Sequence, residues 1–143
     1  MKKNVWIAFA STDRVRVDQH FGAAAAFAIY EVRADGARLV EIAEFLDAGQ
    51  DGFDAKLPGK IATLSGCAAV YCLAAGASAV RQLLAAGIQP IRVAEGSPIE
   101  SLLGDIRHEI AAGPGGWLAK AIRAGESRDG GRFDAMEAEG WQE

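Results

Sequence analysis

The stretch "CAAVYCLAAGASAVRQLLAAGIQPIRVA", Cys67 to Ala94, decides the fold. It opens on an apolar, β-prone run, "CAAVYCLAA" from Cys67 to Ala75, which Gly76 closes. A helix follows with Val80, Leu83 and Leu84 on one face, and "PIRVA", Pro90 to Ala94, reads as another buried strand. Apolar strands joined through a helix are the mark of a parallel β-α-β unit, whose strands are covered on both faces. "VWIAFA", Val5 to Ala10, has the same continuous apolar character and is expected to be the central strand.

Working outward from these strands, "FAIYEV" (Phe27 to Val32) and "RLVEIAEF" (Arg38 to Phe45) flank Asp35-Gly36, the signature of an antiparallel hairpin. Gly49 to Gly59 reads as a connection with Pro58 near a helix start; Ile61 and Leu64 supply the apolar face of a short helix ending at Gly66. Ser97-Pro98-Ile99-Glu100 combines a capping box with proline at the first helical position, and Ile99, Leu102, Leu103, Ile106 and Ile110 carry that helix inward. These elements predict an α/β fold, a five-stranded mixed sheet of spatial order 3-2-1-4-5 with the hairpin as its antiparallel edge. Ligands on such a sheet gather beyond the carboxyl ends of the parallel strands.

The 143 residues suffice for one domain, and half of them are apolar, enough for a single core. Residues 1–112 form the expected α/β domain. Gly113-Pro114-Gly115-Gly116 breaks the last helix, 113–124 is a short helical extension around Trp117, Leu118 and Ile122, and 125–143 is an acidic tail expected to be flexible. Gly125 to Glu143 holds six acids and two arginines, so the whole net charge of −4 resides there and the body is neutral. That balance lacks the basic excess of a nucleic-acid-binding domain. The apolar run at the front is too short for a signal peptide or a membrane span, and two cysteines make no disulfide framework; a reducing cytoplasm is the expected compartment.

One segment is chemically crowded. "RVRVDQHFG", Arg14 to Gly22, lies in the long connection after the first strand, at the ligand end of the sheet, as does Cys72 to Gly76. Imidazole is a neutral nitrogen ligand that binds iron well, so His20 is the candidate metal ligand, able to bind a preformed cluster reversibly where four thiolates would hold it firmly. If the loop is extended, Arg14 and Arg16 point the same way and face an anionic ligand. Asp18 either orients the histidine or caps a turn, and Gly22 lets backbone approach something bulky. The bland alternative is that His20 and Phe21 plug the sheet edge while the arginines are solvated. Five strand residues at ~3.3 Å each would separate Cys67 from Cys72 by roughly 16 Å and turn them to opposite faces, leaving Cys67 structural and Cys72 either a small core residue or a ligand. His108 is expected in solvent on the last helix.

Enzyme readings are weaker. A magnesium-dependent nuclease or phosphotransferase needs converging carboxylates, and "VWIAFA" has none, although Asp13 and Asp18 lie beyond it. A thiol enzyme built on Cys72 would need His20 as its base.

"VDQHFG" followed by "FAIYEV", together with Gly66 to Val93, resembles the dinitrogenase iron-molybdenum cofactor biosynthesis family over about residues 4 to 112. The resemblance implies a ribonuclease H-like fold without nuclease chemistry, helices on both faces, and a non-catalytic carrier or reservoir. Its cargo would be the iron-molybdenum cofactor or its iron-sulfur precursor, bound transiently through His20. Implied partners are a cofactor-assembly enzyme, a NifB-type donor, and a scaffold or apo-dinitrogenase acceptor; neither nucleic acid nor membrane is among them. The alternative is an interaction module that stabilises apo-dinitrogenase or the scaffold without carrying metal.

Overall fold

The computed structural model of the chain describes residues 4–45 and 53–123, with side chains from 57 onward in the second stretch. Its sheet contains β1 (Asn4–Ala10), β3 (Ala26–Arg33), β4 (Gly36–Glu44), β5 (Ala69–Cys72) and β6 (Gln89–Arg92), in spatial order β4-β3-β1-β5-β6. Counted over these five strands alone, the order is 3-2-1-4-5. β1 pairs antiparallel with β3 and parallel with β5, and β5 pairs parallel with β6. The chain therefore leaves the carboxyl end of β1 at the point where the sheet changes direction. A second sheet of two short strands, β2 (Arg16–Val17) and β7 (Ser97–Pro98), lies at that end.

Alternation on β1 and β5 divides the core. Val5, Ile7 and Phe9 of β1, with Ala69 and Tyr71 of β5, face α3 (Ile99–Ala112), whose Ile99, Leu103, Ile106 and Ile110 are buried. Ala8, Ala10, Val70 and Cys72 face the other way, toward α1 (Phe53–Thr63) and α2 (Ala77–Ala85). Phe9 packs against Tyr71 with ring centroids 5.1 Å apart on the α3 side, while Phe21 packs against Phe27 at 5.4 Å on the other. Full burial of each such phenylalanine contributes ~1.5–3 kcal/mol. A helical segment over 116–123 adds Leu118 and Ile122 to the α3 side.

Several expectations need correction. The hairpin turn is Ala34-Asp35, not Asp35-Gly36, because Arg33 already pairs with Gly36. Pro58 lies inside α1 rather than at its start. It is the sixth residue, so the carbonyl it deprives of a donor is that of Asp54 in the first turn. On α2 the buried pair is Ala79 and Leu83, and Leu84 is 52% exposed, because residues four apart share a face and Leu84 lies ~100° from Leu83. The capping box does not form: Ser97 Oγ donates to the Ala94 carbonyl, Pro98 is the N-cap, and the Ile99 N–H donates to the Val15 carbonyl at 2.8 Å. "PIRVA" is a half-buried edge strand, not a buried one, and it ends at Arg92. The connection 46–52 and the acidic tail lie outside the described residues.

Candidate functional site

The connection from β1 to β3 is folded down by its own polar groups. Asp13 Oδ1 accepts from the backbone N–H groups of Val15 (2.8 Å) and Arg16 (3.0 Å) and from Ser11 Oγ (3.2 Å). Those backbone donors hold the Asp13 carboxyl below the usual carboxylate range. Arg14 sits in this turn at φ 64°, so the segment is not extended there and Arg14 and Arg16 do not share a side by strand alternation. Arg16 instead pairs with Pro98 in the small sheet and donates from its guanidinium to the Gly96 carbonyl at 3.2 Å. Asp18 takes the turn-capping option. Its carboxylate accepts from the Thr12 backbone N–H (3.0 Å) and the Thr12 hydroxyl (2.5 Å).

The next three residues run alongside the exit of β5. Leu73 N–H donates to the Gln19 carbonyl (3.0 Å), and Phe21 N–H donates to the Ala74 carbonyl (2.8 Å). Gln19 also accepts from the Ala25 N–H through its side chain. Phe21 is fully buried against Phe27. The Gly22 carbonyl accepts from Lys60 Nζ at 2.6 Å, and the same ammonium lies 5.5 Å from the Phe45 ring centroid. His20 is thus fixed from both neighbours while remaining exposed. The bland alternative holds for Phe21, which plugs the core, and fails for His20.

An open depression forms there, lined by His20, Leu73, Arg92, Val93, Ala94 and Glu95. It uses the carboxyl ends of β5 and β6 and the loop that leaves β1, the ligand end of a parallel sheet. Val93 N–H donates to the Cys72 carbonyl, which ties the β6 exit to the β5 exit beneath it.

A family model described as "Dinitrogenase iron-molybdenum cofactor" matches residues 3–109. The chain belongs to the dinitrogenase iron-molybdenum cofactor family. Within that family it is 53% identical over 137 residues to a protein named NifX from Azotobacter vinelandii, covering 96% of this chain and 87% of that one. It is 34% identical over 128 residues to a NifX from Herbaspirillum seropedicae, covering 89% and 88%. Among solved structures, the apo orange protein from Desulfovibrio gigas has the same fold at TM-score 0.50 and 22% identity, over 77% of this chain and 91% of that one. The protein PH0822 matches at TM-score 0.52 and 21% identity, over 76% and 91%.

In this dinitrogenase-cofactor family chain the remaining predicted residues fall outside the depression. Cys72 is 1% exposed in the core facing α1 and α2, and burial pushes its thiol up to about 11. Cys67 lies in the same cluster, not on the opposite face, because β5 begins only at Ala69 and the pleat does not reach back to it. Its thiol is pushed up to about 12 by burial, with the Glu41 carboxylate adding to the effect. Neither Gly76, the exposed N-cap of α2, nor Arg14 lines the depression. Gly22 and Asp18 shape the loop through their bonds to Lys60 and Thr12. His108 is exposed on α3. Among the described residues no group of three or more His, Cys, Asp or Glu side chains is arranged to hold a metal ion, and no helix is long and apolar enough to cross a membrane.

Three contributors were missed in the sequence. Lys60 gave no signal, being one of three charged residues on α1. Arg92 and Glu95 were absorbed into and beyond a strand taken as buried. Pro90 was the available clue, since proline in a strand marks a sheet edge, where a charged neighbour is easily solvated.

Proposed function

We propose that the chain is a non-catalytic carrier of a preassembled iron-sulfur cluster, the iron-molybdenum cofactor or its precursor, on its way to nitrogenase. The observation that supports this best is the placing of His20: an exposed imidazole whose two flanking peptide groups are bonded to the β5 exit, with no group of three or more ligand side chains gathered to hold a metal ion among the described residues. One imidazole can complete the coordination of a cluster that is already assembled, and a single protein–metal bond leaves transfer open. Asp13 and Asp18, the carboxylates nearest in sequence to a nuclease site, are engaged with backbone and hydroxyl donors of their own loop. The same reading takes residues 1–112 as the binding unit on a ribonuclease H-like sheet. It takes a NifB-type enzyme as donor, a scaffold or apo-dinitrogenase as acceptor, and the cytoplasm as compartment. The protein named NifB from Frankia alni, 36% identical over 96 residues, supports kinship between donor and carrier.

The test is isolation from nitrogen-fixing cells under anaerobic conditions, with iron and molybdenum counted per chain. A carrier returns several iron atoms per chain, in a fraction that falls when the acceptor is overproduced. Metal-free protein recovered in stoichiometric complex with apo-dinitrogenase would contradict the proposal and favour the interaction module.

A further inference from the structure

We propose that Arg92 is the residue through which this site reads the negative charge of its cargo, and that Glu95 opposes it, setting affinity low enough for release. The proposal rests on the reading of His20 as the cluster ligand. The sequence offers Arg14 and Arg16 for this task, but the fold uses or displaces both: the Arg16 guanidinium donates to Gly96, and Arg14 belongs to a tight turn outside the depression. Arg92 is the arginine that lines it. It ends β6, the outermost strand of the sheet, and it is exposed. Its register partner is Cys72, one residue before the Leu73 whose N–H holds the histidine loop. The guanidinium forms no ion pair or hydrogen bond with any described residue, so its donors are available to a ligand.

Glu95 shares the rim three residues later, and it too has no ion-pair partner among the described residues. A cation and an anion facing one depression without neutralising each other create opposed fields for an anionic ligand. Guanidinium binds through charge-assisted hydrogen bonds, and the carboxylate repels at similar range. A carrier built only for affinity would have no use for that carboxylate. A carrier that must hand its cargo on gains a weaker equilibrium hold from it.

The test is anaerobic titration of isolated iron-molybdenum cofactor into the full chain, followed by visible absorption at low and high salt. Arg92→Gln is expected to weaken binding about five- to tenfold at low salt, with the deficit shrinking as salt rises because a Debye length of ~10 Å at 0.1 M screens exposed charge. Arg92→Lys recovers part of the loss, and Glu95→Gln tightens binding severalfold at low salt. The electron paramagnetic resonance spectrum of bound cluster stays that of wild type in all three, since none touches a metal ligand. His20→Ala run in parallel separates the two proposals. If His20→Ala loses the cluster while Arg92→Gln binds as wild type at every salt concentration, the role of Arg92 is overturned and the carrier reading stands. If His20→Ala binds as wild type, the carrier reading itself has failed.

Discussion

The two ends of the sheet carry two hollows that differ in size and in the ionisable groups that line them. At the amino ends of the parallel strands lies the larger, about 660 Å³, with Trp6, Leu84, Trp117 and Lys120 in its wall. At the carboxyl ends lies the open depression of His20, Arg92 and Glu95. The larger hollow mixes apolar Trp6, Leu84 and Trp117 with polar Asn4, Ser65 and Gln89; its wall includes Cys67, whose thiol burial keeps protonated, and no histidine. The smaller has the exposed imidazole of His20, on a loop hydrogen-bonded to the β5 exit. Volume therefore points to one end and chemistry to the other, and the topology of the sheet agrees with the chemistry.

The largest effect should come from removing the anchor of the histidine loop. Phe21 is fully buried in the cluster that contains Phe27, Val70 and Leu83. Phe21→Ala is expected to cost ~3–5 kcal/mol of stability, measured by denaturant unfolding, and to weaken cluster binding as the neighbouring His20 loses its fixed position. The counterpart at the other end is Trp117→Ala, which should also lower stability but leave the affinity of the folded protein for cluster unchanged. Equal loss of affinity in both variants would erase the distinction between the two ends.

Alkaline pH strikes both ends. Cys67, Cys72 and Tyr71 are all raised by burial, to about 12, 11 and 12, and the Glu109 and Asp105 carboxylates add to the effect at Tyr71. A group whose folded pKa lies above its unfolded value contributes stability that is fully present below the unfolded pKa. For the two thiols that contribution should be intact below about pH 8 and be lost as pH rises through about 11 for Cys72 and about 12 for Cys67, with a slope approaching ~1.4 kcal/mol per pH unit for each group. Denaturant midpoints measured from pH 7 to 11 check this. The same burial predicts that neither thiol of the folded protein reacts with iodoacetamide at pH 7, and fast labelling of Cys72 alone would return it to the list of ligands.

A smaller effect is expected from Asp18→Ala, which strips two hydrogen bonds from Thr12 at the mouth of the loop and should cost ~1–2 kcal/mol. Its cluster affinity should fall modestly, because the Gln19 and Phe21 bonds to the β5 exit remain. The smallest effect belongs to Lys120→Gln in the larger hollow, where cluster titration should match wild type. A salt-sensitive loss there would move the anion-binding region to the amino end.

How much of this was legible in the sequence depended on the length over which a signal repeats. β1, β5, α2 and α3 announced themselves because burial on one or both faces leaves a pattern of several residues, and His20 stood out as an imidazole in a long loop at the ligand end. The small sheet of β2 and β7 left no trace, since two residues carry no period. It nevertheless diverted Arg16 to Gly96 and replaced the expected cap of α3 by the Val15 carbonyl. Ser97 read as a cap residue from local pattern, but its backbone was committed to β7 and its hydroxyl to Ala94. Arg92 was hidden for a related reason. Whether a strand end is covered depends on which strand is outermost, a property of the assembled sheet and not of the four residues concerned.

The central claim is that His20 is the protein ligand to the cluster. The chain has only two histidines, which makes a direct measurement possible. Protein labelled with nitrogen-15 histidine is loaded anaerobically with iron-molybdenum cofactor, and the hyperfine coupling between the cluster and imidazole nitrogen is recorded. If His20 is the ligand, a nitrogen-15 coupling is expected that survives in His108→Ala and disappears in His20→Ala, with circular dichroism showing both variants folded. A coupling that persists in His20→Ala, or that is absent from loaded wild-type protein, would contradict it.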